Sequence, residues 1–171
     1  KTEYYSNGEK KYEYHISKGI QNGPYNMWYE NGQKEAEGTF KDGKQDGLWT
    51  SWYENGQKQG EETYKDGELD GLGTIWYENG QKKAERTYKD GIEIGKYETW
   101  LDDGTKEWEY YFNDDGTRDS TKLTTRWYES GQKWYKGYVK TLNDTTNVWI
   151  GLKTEWYGNG NLRTIETLQN G

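Results

Sequence analysis

A seven-residue motif returns along this chain at a fixed interval. WYENGQK occupies Trp28–Lys34, Trp52–Lys58 and Trp76–Lys82, and WYESGQK occupies Trp127–Lys133. The tryptophans at 28, 52, 76 and 100 are each 24 residues apart. A period of roughly 20–50 residues indicates an array of stacked units, in which one unit cannot fold without its neighbours.

The motif also returns in less regular copies. YYSNGEK (Tyr4–Lys10) lies one period before the first full copy, and WLDDGTK (Trp100–Lys106) and WYGNGNL (Trp156–Leu162) follow later. About seven hairpin units therefore cover the chain.

The array is regular from residue 23 to 99 and irregular from 100 to 171, where the tryptophan spacing widens to 27 and then 29 residues. No linker interrupts it, so we predict a single repeat domain over residues 1–171. We expect the irregular units, 127–171, to carry partner specificity, since insertions in a repeat array often fall on one face.

Local signals predict strands and turns. The chain contains 23 glycines, and no helical period is sustained. Asn-Gly between two aromatic segments predicts a two-residue type I′ turn, which pairs Tyr53 with Lys58 and Gly47 with Tyr64. KDGKQDG, at Lys41–Gly47, predicts a longer Asp-Gly loop. The resulting fold class is all-β: an elongated, twisted, single-layer antiparallel meander of stacked β-hairpins with a 24-residue repeat.

The apolar surface of the chain is aromatic. It contains ten Trp and seventeen Tyr, and 31% of its residues are charged. Each buried ring removes roughly 150–250 Å² from water, so we expect the chain to fold around rings. The net charge of −7 argues against nucleic acid or an anionic membrane as a partner and is compatible with a basic protein surface. We find no apolar run long enough for a membrane span.

The motif, in the setting GLWTSWYENGQKQGEETYKDG from Gly47 to Gly67, resembles the MORN repeat variant, the type 2 repeat found in many bacterial proteins. The resemblance is strong from Gly23 to Gly95 and weak over 100–125 and 138–152. It implies a single-layer sheet of stacked hairpins. It also implies one of several functions, which include the antitoxin or immunity component of a toxin–antitoxin system and envelope-associated roles. It supplies no catalytic motif.

The residues indicate no enzyme, metal site or cofactor. His15 is the single histidine, and we interpret it as a strand residue. No arrangement of Ser, His and Asp or of Cys and His is present, and no phosphate-binding loop. The acidic stretches Leu101–Thr105 and Asn113–Asp119 are interpreted as Asp-Gly turns, with calcium binding left open.

Three functions stay open. The leading hypothesis is a non-catalytic protein–protein interaction repeat protein, of antitoxin or immunity type, that masks the basic surface of a toxin. The alternative is an exported cell-envelope protein that binds glycan or cell-wall material through exposed Trp and Tyr rows. A structural spacer is the third. The predicted recognition surface is formed by the most regular rings: Trp28, Tyr29, Trp52, Tyr53, Trp76 and Tyr77.

Localisation and assembly are open as well. Because the chain begins at Lys1, we expect a trimmed N-terminus, which leaves the bacterial cytoplasm and the cell envelope as alternatives. The sequence does not indicate an oligomeric state. A protein partner is favoured over a glycan.

Overall fold

A computed structural model of the protein describes residues 1–143 and 146–168, with the backbone alone for 141–143, 146–147 and 168. Over these residues the chain is all-β, and sixteen strands form one antiparallel sheet. Fourteen of them follow one another in chain order, and two short strands pair beside this path. The predicted hairpin meander is thus confirmed. Over the described residues, no helix is long and apolar enough to cross a membrane.

Contacts divide the chain into two compact units, described here separately. The first comprises Lys1–Lys82 and Tyr88–Gly91, and the second comprises Lys83–Thr87 and Ile92–Gly171. That residues 1–171 are a single repeat domain stays a prediction. The strands of the first unit are β1 (Thr2–Tyr4), β2 (Lys10–Ser17), β3 (Ile20–Trp28), β4 (Lys34–Lys41), β5 (Lys44–Gln45), β6 (Gly47–Trp52), β7 (Lys58–Lys65), β8 (Glu68–Leu69) and β9 (Gly71–Trp76).

One strand has residues in both units, and the remaining strands belong to the second. They are β10 (Lys82–Lys89), followed by β11 (Ile92–Trp100), β12 (Lys106–Phe112), β13 (Leu123–Trp127), β14 (Lys133–Asn143), β15 (Thr146–Trp156) and β16 (Leu162–Leu168).

The turn inside WYENGQK differs from the predicted one. Between β6 and β7, the Tyr53 N–H donates to the Gln57 carbonyl at 2.9 Å, and the Gly56 N–H donates to the Tyr53 carbonyl at 2.9 Å. Of the three loop residues, only Gly56 has a positive φ, 82°. The loop is therefore a type I turn over Glu54 and Asn55 followed by a left-handed glycine. The type I′ prediction was wrong because Asn55 acts through its side chain, whose Oδ1 accepts the Gln57 N–H at 2.9 Å.

The Asp-Gly segments form the two-residue turns instead. Asp42 and Gly43 both have positive φ, 49° and 81°, and Lys41 of β4 pairs with Lys44 of β5. Aspartate tolerates the left-handed region because its short polar side chain can hydrogen-bond locally. The prediction of a longer loop here was wrong.

A β-bulge restores the predicted register beyond the WYENGQK turn. Trp52 pairs with Lys58, so the predicted pair of Tyr53 with Lys58 was wrong. The register shifts by one residue at this point, and Gly47 then pairs with Tyr64 as predicted. The extra residue of β7 compensates for the third loop residue.

The wider spacing of the later copies has a visible origin. Residues 113–122 lie between β12 and β13, and there the Asn113 N–H donates to the Thr117 carbonyl at 2.8 Å in a turn of the same kind. The 29-residue spacing coincides with the long hairpin of β14 and β15. The tip of that hairpin, residues 144 and 145, lies outside the described residues, as do residues 169–171 of the C-terminal unit.

The sheet has almost no enclosed core. Among the residues with described side chains, the buried apolar ones are Ala84 and Val139, each 5% exposed. Rings cover the sheet instead. Trp49 lies so close to Gly38 of the adjacent strand β4 that a Cβ on that glycine would be 2.2 Å from the indole. Glycine is therefore required where a ring lies flat on the backbone.

Replacing Gly38 by alanine tests this packing. We expect Gly38→Ala to lower the free energy of unfolding by about 1–3 kcal/mol, because the new methyl group must displace the Trp49 ring. Urea denaturation measures the change. Gly158→Ala is the control, since a Cβ there meets no atom within 4 Å, and we expect a change of less than about 0.5 kcal/mol. Equal stabilities of the two variants would contradict the packing.

Candidate binding surface

The six rings predicted to form a recognition surface lie at the ends of strands. Trp28, Trp52 and Trp76 are the last residues of β3, β6 and β9, and the tyrosine after each one opens the turn. All six side chains are half-buried. The contacts of each ring show whether it joins one copy of the motif to the next.

Each of these tyrosines connects its turn to the next copy. The Tyr29 hydroxyl donates to the Trp52 carbonyl at 2.7 Å, and the Tyr53 hydroxyl donates to the Trp76 carbonyl at 2.8 Å. Tyr5 repeats the bond one copy earlier, to Trp28 at 2.9 Å. The carbonyl of the last residue of each of these strands thereby accepts a hydrogen bond from the preceding copy.

The asparagine of each turn strengthens the same connection. The Asn31 Nδ2 donates to the Glu54 carbonyl at 3.2 Å, and the Asn55 Nδ2 donates to the Glu78 carbonyl at 2.8 Å. The asparagine therefore bonds its own turn through Oδ1 and the following turn through Nδ2. This double use explains why the motif keeps Asn where its φ is not left-handed.

The lysine of each motif covers the tryptophan of the next copy. The Lys34 Nζ lies 5.9 Å from the centroid of the Trp52 ring, and the Lys58 Nζ lies 5.7 Å from that of Trp76. Both ammonium groups also pair with a glutamate three residues further on. A cation within about 6 Å of a ring centroid is attracted by the ring quadrupole.

Lys106 occupies the same motif position in the second unit, and burial and hydrogen bonding have opposite effects on the pKa of its ammonium. Burial works against the charged form of Lys106, but hydrogen bonds to Glu109 and Glu98 outweigh it, so the pKa of its ammonium is raised. The Lys106 Nζ lies 5.1 Å from the Trp127 ring centroid. The lysine stays charged over the ring.

These contacts bring the predicted residues together in pairs across copies. Tyr29 meets Trp52, and Tyr53 meets Trp76, while Trp28 receives Tyr5 and the Lys10 ammonium at 5.4 Å. The stripe of six rings therefore has a structural role in joining copies. Its role as a recognition surface stays a prediction.

A ring-lined groove in the first unit was not predicted. It has a volume of about 600 Å³, and its floor carries Tyr25, Phe40 and Trp49. The Tyr25 and Trp49 rings stack with centroids 5.6 Å apart, and Phe40 meets Trp49 edge-on at 5.0 Å. The remaining lining residues are Tyr12, Tyr14, Ile16, Gly19, Gln21 and Gln45.

The groove is apolar at its rim and uncharged along its lining. Ile16 is 52% exposed, and Ile20, the first residue of β3, is 48% exposed. Burial raises the pKa of the Tyr25 phenol, so this hydroxyl is neutral at physiological pH. Exposed apolar side chains around a concave ring surface are typical of a binding site.

The unit around the groove is acidic. The first unit contains 16 acidic and 11 basic residues, a net charge of −5, whereas the second contains 14 and 12. The groove itself lacks charge, so its surroundings supply the field that a ligand meets. A negative field around an uncharged aromatic floor favours a cationic partner.

The spacing of the groove rings is visible in the sequence, but the spacing does not show that these rings form a groove. Phe40 belongs to a 24-residue series with Tyr64, and Trp49 lies 24 residues after Tyr25. In the next copy, 24 residues after Trp49, the corresponding residue is Gly73, so the series of rings ends there. The period alone does not reveal which rings share a concavity, because that depends on the bulge and on the glycine at position 38.

In the second unit, arginine side chains of the chain itself stack on the clustered rings of Trp108, Tyr110 and Trp134. The Arg118 Cζ lies 3.4 Å from the Tyr110 ring centroid. The Arg126 Cζ lies 4.5 Å from the Trp108 centroid and 4.4 Å from that of Trp134. Burial lowers the pKa of the Arg118 guanidinium and raises that of the Tyr110 phenol to about 12.

The residues considered for chemistry occupy ordinary structural positions. His15 lies in β2 and is exposed, as predicted for a strand residue. The Asp103 Oδ1 accepts the Thr105 N–H at 2.7 Å, and the Asp115 Oδ1 accepts the Thr117 hydroxyl at 2.6 Å and the Thr117 N–H at 2.9 Å. These bonds hold the pKa of both carboxyls below the usual range. The two acidic stretches are therefore turns, as predicted. No group of three or more acidic or histidine side chains in the described part of the chain is arranged to hold a metal.

Comparison with known families agrees with the repeat. Residues 21–42, 45–66 and 69–90 match the MORN repeat variant. No curated protein matches the chain significantly. The three matched segments contain the Tyr29 and Tyr53 contacts, the Lys34 and Lys58 contacts, and the Phe40 and Trp49 rings of the groove. MORN repeats are generally non-enzymatic modules of protein or membrane interaction, which supports a non-catalytic binding role.

The tyrosine contact between copies is testable by removing one hydroxyl. We expect Tyr53→Phe to lower the free energy of unfolding by about 1 kcal/mol, because the Trp76 carbonyl loses its donor. Tyr157→Phe is the control, since Tyr157 is 52% exposed and its hydroxyl has no hydrogen-bond partner among the described residues. Urea denaturation of both variants decides the matter, and an equal loss in both would contradict the assignment.

Proposed function

We propose that the protein is a non-catalytic binding protein whose first unit receives a basic protein surface in the ring-lined groove. The observation that carries the proposal is the combination of an uncharged, aromatic floor and a surrounding unit with a net charge of −5. Rings supply contact area at low entropic cost, and complementary charge supplies orientation and speed of association.

Within this class, we propose an antitoxin or immunity role in which the chain masks a basic, functional surface of a toxin. The support is the charge of the first unit together with the MORN-variant repeats. Masking requires contact area but no chemistry, which agrees with a sheet whose successive copies are joined by hydrogen bonds such as those of Tyr29 and Tyr53. The six-ring stripe from Trp28 to Tyr77 is proposed as a secondary contact, since its rings are half exposed at the same edge of successive hairpins.

The salt dependence of association tests the proposal. The binding partner is captured on the immobilised chain from the native host and purified, and its association rate constant is measured at 50 and 500 mM NaCl. We expect the rate constant to fall about tenfold or more, because the attraction between the acidic unit and a basic surface is screened.

A matched pair of variants locates the effect. Asp42 is exposed in the turn between the lining residues Phe40 and Gln45, and Asp114 is exposed in the second unit. We expect Asp42→Asn to slow association by about 1.5- to 2-fold and Asp114→Asn to leave it unchanged. A rate constant insensitive to salt and to both substitutions would overturn the proposal.

The groove also favours a second candidate, an exported envelope protein that binds glycan. Gln21 and Gln45 line the groove beside its rings, and amide side chains beside aromatic faces can hydrogen-bond the hydroxyls of a stacked sugar. Binding of this kind does not depend on the acidic field. Salt-independent binding to glycans, lost on Trp49→Ala, would favour this candidate over the basic protein partner.

A further inference from the structure

Most of the ring clusters on this sheet are covered by a cation of the same chain. Lysines of the motif lie over Trp28, Trp52 and Trp76. In the second unit, arginines lie over Tyr97 and Tyr110 and between Trp108 and Trp134. Lys153 lies over Tyr135 and Trp149. Pairing a ring with a cation is thus the general solution that this protein uses for rings that cannot be enclosed.

The floor of the groove departs from that pattern. Tyr25, Phe40 and Trp49 contact one another, but in the described part of the chain no lysine or arginine lies over any of the three rings. Among the residues that line the groove, Tyr14 does have a cation near its ring: the Lys1 Nζ lies 5.9 Å from its centroid. Three half-buried ring faces therefore line an open cavity that lacks the cation found at the other clusters.

We propose that this vacant position is filled by an arginine side chain of the basic protein partner. The inference rests on the proposed function and specifies the chemistry of its site. The occupant must be cationic because the surrounding unit is acidic, and it must present a surface that stacks on rings because the lining offers no carboxylate for an ion pair.

The protein's own contacts indicate a guanidinium rather than an ammonium group. Two of its arginines approach ring centroids closely, Arg118 to 3.4 Å at Tyr110 and Arg126 to 4.4 Å at Trp134, although other arginine–ring distances reach 5.9 Å. The lysines over Trp127 and Tyr135 lie 5.1 and 6.0 Å from the ring centroids. A planar, weakly hydrated guanidinium stacks on a ring face while its edge still donates hydrogen bonds. Gln21 and Gln45 line the same groove, and the oxygen of a glutamine side chain is an acceptor for such N–H groups.

Three otherwise identical peptides test the proposal. Each contains Gly-Ser spacers and three variable positions occupied by arginine, by lysine or by citrulline, which keeps the shape of arginine without its charge. Dissociation constants are measured on the full chain by fluorescence anisotropy. We expect the arginine peptide to bind about 3- to 30-fold more tightly than the lysine peptide, and the citrulline peptide to bind more weakly than either.

Ring variants and an NMR signal locate the binding. Trp49→Leu should abolish the preference for arginine, while Trp52→Leu should keep it, because the Trp52 ring is already covered by Lys34. In the unmodified chain, the Trp49 indole N–H signal should shift on addition of the arginine peptide and the Trp52 signal should not. This readout stands even where a variant fails to fold.

The outcomes separate this inference from the proposed function. Equal, salt-dependent affinities for arginine and lysine peptides would overturn the inference and leave a basic partner in place. Arginine and citrulline peptides binding equally would overturn the inference and the role of charge together. Failure of all three peptides to bind, with an unshifted Trp49 signal, would count against both the inference and the groove as the site of a basic partner.

Discussion

A single sheet with almost no enclosed core must obtain its stability from contacts between neighbouring hairpins. Two buried apolar side chains among those described cannot hold the chain together, so successive turns are joined instead. The hydroxyl of Tyr53, the amide of Asn55 and the ammonium of Lys58 all reach the following copy. Because each of these contacts crosses from one repeat to the next, the array is stable only as a set, which is the physical reason for repeating one motif so faithfully.

The same constraint determines where binding can occur. Rings on a thin sheet remain half exposed whatever the register, and the chain covers many of them with its own lysines and arginines. The groove over Tyr25, Phe40 and Trp49 is different, because Gly38 lets the indole lie flat and none of the described lysines or arginines is placed above it. We therefore propose that a partner supplies at the groove the cation that the chain itself places over its other rings.

The period, the strands and the hairpin meander were predictable because they follow from spacing and from the aromatic, glycine-punctuated pattern. The turn types were not. Asn55 can satisfy a hairpin through a left-handed backbone or through its side chain, and the sequence Asn-Gly is the same in both cases. The three-residue loop and its compensating bulge leave the distant pair of Gly47 and Tyr64 unchanged, so the register could be correct while the turn was wrong. The groove depends on that local geometry and on which rings share a face, and for this reason it was missed.

A double-mutant cycle on Lys34 tests most directly that contacts between copies stabilise the sheet. Lys34 pairs across its own hairpin with Trp28, but its ammonium lies over Trp52 of the next copy. Unfolding free energies of Lys34→Met, Trp52→Leu and the double variant should give a coupling energy of about 0.5–1 kcal/mol. The matched cycle with Trp28→Leu should give a coupling near zero. A coupling confined to Trp28, or none in either cycle, would contradict the account.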